Sequence, residues 1–158
     1  MTEQYVGPLE AGQPVPDFEL RDQHGQNVSL SSFRGSRAVL LVFYPFAFSR
    51  VCTGELRELR DSWPPAGVSE VELLAVSCDP VYSLRSFADS DGLSFPLLSD
   101  FWPHGDVSST YGVFDSERGC STRSSFAIDR KGVLRWQVHH ALPNARDVGD
   151  YARVLAGF

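Results

Sequence analysis

The sequence predicts an α/β sandwich: a mixed central β-sheet flanked by helices. Three observations carry that reading. Two runs, Ala38–Tyr44 and Val71–Cys78, are short and dominated by apolar residues, the second interrupted only by Glu72 and Ser77. Such short runs suit strands buried on both faces of a parallel sheet. Each run is followed by a stretch with helical spacing, which gives the strand–helix alternation of parallel α/β folds. The last third then changes character, to two short strands around Arg130-Lys131-Gly132 and a final helix.

In chain order, residues 1–15 carry Gly7, Pro8, Gly12 and Pro14 and read as an arm leading into a single domain spanning 1–158. Residues 17–21 and 27–30 alternate polar and apolar around the turn-like cluster Asp22-Gln23-His24-Gly25-Gln26, which predicts an N-terminal β-hairpin extension. Residues 31–35 suggest a short helical turn. The core strand at 38–44 precedes a helix starting near residue 50, where Leu56, Leu59 and Trp63 recur among charged neighbours. Pro64-Pro65-Ala66-Gly67 stops that helix. After the strand at 71–78, Asp79-Pro80 suits a helix start, with proline in the first turn, and Asp91-Gly92 breaks that helix. Residues 95–100 form a short strand, and 101–111 a loop with one helical turn. Strands at 124–129 and 133–138 and a helix at 147–155 complete the chain.

Composition narrows the function. The 158 residues suffice for a proper core, with 42% hydrophobic and 22% charged residues. A net charge of −6 argues against nucleic acid or an anionic membrane as the main partner. No apolar run approaches the ~20 residues of a membrane span. Residues 1–5 lack the charged-then-apolar pattern of a secretory signal, and three cysteines make no disulfide framework, so a cytoplasmic protein with reduced thiols is expected. The four histidines form no metal-ligand spacing with a cysteine pair, and no glycine loop suits a phosphate, so no cofactor or metal is expected.

The chemistry concentrates at Cys52. It lies where the core strand has ended and a helix begins. Free N–H groups and the positive end of the helix dipole stabilise an anion there. A thiol so placed ionises more readily, and the thiolate is the nucleophile. In open α/β sheets ligands gather at the carboxyl ends of parallel strands, and both Cys52 and Cys78 follow such ends.

Pro45-Phe46-Ala47-Phe48-Ser49-Arg50-Val51-Cys52 reads P-x-x-x-S-x-x-C, which resembles the peroxidatic motif of the peroxiredoxins. Pro16-Asp17-Phe18 near the start, Tyr111-Gly112-Val113-Phe114, and Arg123 before Phe126-Ala127-Ile128-Asp129 extend the resemblance over nearly the whole chain. Residues 95–105 look closer still to the alkyl hydroperoxide reductase E subgroup. The resemblance implies a thioredoxin-like fold and a peroxidase for hydrogen peroxide, organic hydroperoxides or peroxynitrite. It implies Cys52 as nucleophile, Ser49 bonding the bound peroxide, Pro45 shielding the pocket and Arg123 stabilising the thiolate and the polarised peroxide. Arginine suits that part, being a permanent cation with several donors. Each residue also has a plainer role: Pro45 as strand end, Ser49 as helix N-cap, Arg123 in a surface ion pair. Glu55 either orients Arg123 or is a favourable charge in the first helical turn.

The remaining cysteines decide the cycle. Attack on peroxide leaves a sulfenic acid, which condenses with a nearby thiol. The position five residues after Cys52, used for a resolving cysteine in some relatives, is Arg57, and the C-terminal segment contains none. Cys78 reads as a small buried hydrophobe and Cys120 as part of a polar loop. A one-cysteine cycle is therefore expected, with reduction by an external thiol or a thioredoxin-like or mycoredoxin-like protein, in a homodimer as is frequent in the family. Two rival functions stand beside it. A thiol–disulfide exchange protein normally uses C-x-x-C, but Ser49 occupies the first position. A holdase or redox switch would use oxidised Cys52 without turnover.

Overall fold

The computed structural model describes residues 9–158; the first part of the expected arm, and with it the reading of residues 1–5, lies outside them. A seven-stranded mixed sheet organises the chain. The hairpin forms as expected from β1 (Glu19–Arg21) and β2 (Asn27–Ser29), with Leu20 opposite Val28. Its turn closes on Asp22, whose Oδ1 accepts from the N–H groups of His24 at 2.8 Å and Gln26 at 3.0 Å. A 3-10 turn at Leu30–Phe33 leads to β3 (Ala38–Phe43), every residue of which is buried. Then follow α1 (Arg50–Ser62), β4 (Val71–Ser77), α2 (Val81–Asp91), β5 (Leu97–Ser99) and the short α3 (Asp106–Thr110). A ribbon of β6 (Phe114–Asp115) and β7 (Cys120–Ser121) precedes β8 (Arg123–Ile128), β9 (Leu134–His140) and α4 (Val148–Leu155).

The sheet order is β2-β1-β5-β4-β3-β8-β9. β3 runs parallel to β4, and β4 to β5, while β8 pairs antiparallel with β3. The parallel centre explains why β3 reads as an unbroken apolar run and β4 as one interrupted only by Glu72 and Ser77: both their faces are covered. Alternation splits the core in two. Leu40, Val42 and Tyr44 face α1, α2 and α4, together with Leu56, Leu59, Leu84, Phe87 and Tyr151. Val39, Leu41 and Phe43 face the hairpin and α3, with Phe18, Val107, Tyr111 and Phe126. Burying each such large side chain contributes about 1.5–3 kcal/mol.

Helix ends follow their local chemistry. α2 stops at Gly92, whose φ of 63° lets the chain turn left-handed and its last turn close. α4 is capped by Asp147, which accepts from Gly149 N at 2.8 Å.

Two local expectations change. The segment around Cys120 is a two-stranded ribbon and Cys120 is buried, not part of a polar loop. Two-residue strands around a polar turn carry too little periodicity to be read as strands. α2 begins at Val81, with Pro80 as its cap residue rather than within its first turn. Asp79 is committed elsewhere: its Oδ2 accepts from Ala47 N at 2.8 Å and Ser77 Oγ at 2.7 Å.

Candidate active site

The register of β3 and β8 builds the site. Phe43 lies opposite Ser124, so the next residues outward, Tyr44 and Arg123, reach the rim together. Paired residues of an antiparallel ladder share a face, and here it is the face that α1 covers. Pro45 is buried and ends the strand; its ring fixes φ and removes an N–H where the chain leaves the sheet. The loop then makes a tight reversal, with Phe48 at a φ of 68°. A left-handed conformation at a bulky residue costs roughly 1–3 kcal/mol. Contact between the Phe48 and Phe87 rings, 5.1 Å between centroids, helps to hold it.

Ser49 occupies the cap position of α1, but its hydroxyl makes no cap bond. Ser49 Oγ instead donates to Phe46 O at 2.9 Å, which braces the reversal, while Thr53 N bonds Ser49 O at 2.8 Å. The N–H groups of Arg50, Val51 and Cys52 precede that first helical bond, so they form the positive end of α1. Cys52 is the third residue of the helix, in its first turn, and its side chain is fully buried.

Arg123 reaches this sulfur from β8. Its Nη1 donates to Cys52 Sγ at 3.1 Å and to Glu55 Oε1 at 2.6 Å, and its Nε bonds the Leu142 carbonyl. Arg123 is thus buried and committed to this cluster, not to a surface pair. Among the described residues its Nη2 makes no hydrogen bond, which leaves N–H groups for a ligand oxygen.

Glu55 resolves in favour of orientation. It is buried and bridges two arginines. Oε2 accepts from Arg146 N at 2.6 Å and Arg146 Nε at 2.9 Å, and Oε1 also accepts from Arg146 Nη2 at 3.0 Å. Burial alone would raise the Glu55 pKa; the hydrogen bonds and charge of Arg146, with the charge of Arg123, outweigh it and hold the carboxyl below its ordinary value. Arg146 in turn donates from Nη1 to Phe43 O at 2.6 Å and Ser124 O at 2.9 Å, which ties the cluster to the end of the β3–β8 ladder. Sequence reasoning missed Arg146. It stands in a turn before α4 with no motif around it.

The other thiols sit differently. Cys78 Sγ lies 3.6 Å from Ser121 Oγ and 4.0 Å from Ser108 Oγ, and Ser108 also bonds the buried Asp100 carboxylate. Burial pushes the Cys78 thiol up and the Cys120 thiol up to about 11. All three cysteines are free. Among the described residues no group of histidine, cysteine and carboxylate side chains could hold a metal, and no helix is long and apolar enough to cross a membrane.

A buried thiol on a helix start, bonded to a guanidinium at the rim of a thioredoxin-like sheet, defines a thiol-dependent peroxidase of the peroxiredoxin class. Residues 11–137 match the AhpC/TSA family, and the chain belongs to it. It is 47% identical over 148 residues to alkyl hydroperoxide reductase E of Mycobacterium tuberculosis, covering 94% of this chain and 97% of that one. It is 32% identical over 150 residues to peroxiredoxin 2 of Thermoplasma acidophilum, covering 91% of this chain and 73% of the relative. Among solved structures, Enterococcus faecalis AhpC superposes with a TM-score of 0.83 at 27% identity, covering 93% of this chain and 90% of that one.

Proposed function

We propose that Cys52 is the peroxidatic thiol of this enzyme, with Arg123, Ser49 and Pro45 as its working partners. The observation that carries the reading is the 3.1 Å bond from Arg123 Nη1 to Cys52 Sγ, inside a cluster in which Glu55 bridges two arginines and leaves one positive charge for the sulfur to face. The Cys52 thiolate attacks the terminal oxygen of a hydroperoxide. An S–O bond forms, the O–O bond breaks, and the leaving alkoxide takes a proton to become the alcohol. Charge moves from sulfur to oxygen, and the fixed guanidinium and helix N–H groups meet it without reorganising. Ser49 lies one turn before Cys52, where its hydroxyl can bond the peroxide after releasing Phe46 O. Pro45 gives one side of the pocket a rigid wall without a donor.

The product is a sulfenic acid on Cys52, recycled by an external thiol or a thioredoxin-like or mycoredoxin-like protein. Support comes from the other thiols: Cys78 and Cys120 are buried and raised, and Arg57, five residues past Cys52, is paired with Asp91 at 2.7 Å. The assembly is a homodimer. Phe46, Phe48, Phe101 and Trp102 are exposed large apolar side chains, the kind of surface a second copy covers. The site is a cytoplasmic, reduced one.

Stopped-flow mixing of reduced protein with one equivalent of peroxide, followed by mass spectrometry, tests the core. Fast gain of one oxygen on Cys52, lost in Cys52→Ser and retained in Cys78→Ser and Cys120→Ser, is expected. Oxidation no faster than that of free cysteine overturns the reading. So does rapid exchange with a disulfide in the absence of rapid peroxide reaction.

A further inference from the structure

Tyr44 is the one buried polar side chain among the described residues whose polar atom has no hydrogen-bond partner: its hydroxyl is enclosed and unpaired. A buried hydroxyl left so is costly, and native structures rarely keep one without use. Its place is informative. Tyr44 and Arg123 each lie one residue beyond Phe43–Ser124, the last pair of the β3–β8 ladder, and Tyr44 packs in the same core cluster as Cys52. The ring packs in one buried cluster with Cys52 and Leu56 of α1 and lies beside Phe87, 6.4 Å between ring centroids. The nearby Ser77 hydroxyl is not in bonding geometry with it and donates its own proton to Asp79 Oδ2 at 2.7 Å.

Burial drives the Tyr44 pKa far up; the nearby Ser77 hydroxyl works against it, and the charges of Asp79 and Cys52 push it further up. The hydroxyl therefore stays protonated, a donor and not an acid. In the reduced enzyme that donor has no acceptor in bonding geometry. Oxidation changes the sulfur: it gains an oxygen beyond its own position that, as a sulfenate, bears negative charge and accepts strongly.

We infer that Tyr44 is a positioning residue for the oxidised enzyme, its Oη–H donating to the sulfenate formed on Cys52. The inference rests on Cys52 being the peroxidatic thiol. The bond shifts the equilibrium of that sulfenic acid toward its sulfenate. It has a chemical consequence, because the sulfenate is the species that a second hydroperoxide oxidises. In that step the sulfenate sulfur attacks the terminal peroxide oxygen, a second S–O bond forms, the O–O bond breaks, and the products are the Cys52 sulfinate and the alcohol. Tyr44 thus sets the pH range over which the intermediate is overoxidised rather than recycled.

Tyr44→Phe keeps the ring and removes only the hydroxyl. The first oxidation is followed by stopped flow; the second is followed as the rate of sulfinate formation with excess peroxide across pH. In Tyr44→Phe the first step is expected to stay within about threefold of the parent. The pH midpoint of the second step rises by about one unit, a tenfold change in the acid–sulfenate equilibrium. Ser77→Ala, which leaves the phenol in place, keeps the parent midpoint. An unchanged midpoint in Tyr44→Phe overturns the inference while leaving Cys52 as nucleophile. Absence of the first oxidation in the parent enzyme overturns the reading beneath it.

Discussion

Glu55→Gln exposes how the site is held. The carboxylate takes four hydrogen bonds, two on each oxygen, from two buried arginines. Glutamine offers one oxygen, so its amide must face donors on the other side, and two guanidinium charges lose their counter-charge. Breaking a buried ion cluster by removing one partner costs about 3–5 kcal/mol. At roughly 2–4 °C per kcal/mol for a chain of this size, Tm should fall by about 6–20 °C. The pH dependence has a definite sign. Glu55 has its pKa lowered in the fold, so its ionised form stabilises the protein fully above its ordinary value of 4.5. That contribution is lost as pH falls through the lower folded value. The Tm gap between parent and variant should thus be widest near neutrality and narrow below pH 4.5. Activity should fall as well, because Arg123 loses the partner that aims it at Sγ; a displacement of about 1 Å costs on the order of 10²-fold in rate. Calorimetry across pH and single-turnover peroxide oxidation read both effects. A variant that melts within 2 °C of the parent and reacts as fast would refute the argument that Glu55 holds the site.

Arg123→Met should slow oxidation of Cys52 by roughly 10²–10³-fold, the effect of removing one preset donor to a developing oxyanion; a change under threefold in stopped flow refutes its role. The double variant Cys78→Ser/Cys120→Ser should turn over with a small external thiol at the parent rate and leave a trappable sulfenic acid, whereas loss of recycling would show an internal resolving thiol. Leu74→Ala, at a fully buried β4 position facing the α3 side, should cost about 2–5 kcal/mol by denaturant titration yet leave single-turnover oxidation unchanged at a temperature where the variant is folded.

The central fold was legible because its signals are local and strong. Six consecutive buried residues in β3 leave no reading other than an enclosed strand, and Pro64-Pro65 ends α1 wherever the rest of the chain goes. The ribbon β6–β7 was illegible for the opposite reason. Its four strand residues, Phe114, Asp115, Cys120 and Ser121, alternate too briefly for periodicity, and its turn is held by Asp115 accepting from the N–H groups of Glu117 and Arg118. Cys120 is buried there by packing from elsewhere, which composition does not record.

The site divides along the same line. Cys52, Ser49 and Pro45 lie within eight residues, so a motif and a helix start suffice to read them. Arg123 is 71 residues from Cys52 and meets it only because β8 returns antiparallel beside β3 with Phe43 opposite Ser124. Arg146 is 91 residues from Glu55, in a turn with no pattern. Tyr44 looked like the end of a buried strand and lies, buried, one residue past β3; that its hydroxyl has no partner emerges only once every neighbour is in place. The proposed nucleophile can be read from a short stretch because a helix start makes its own field. The groups that hold and tune it come from three other segments, and their meeting is a property of sheet register. Moving β8 by one residue against β3 would turn Arg123 to the opposite face, leaving Glu55 and Arg146 paired but Cys52 without its cation.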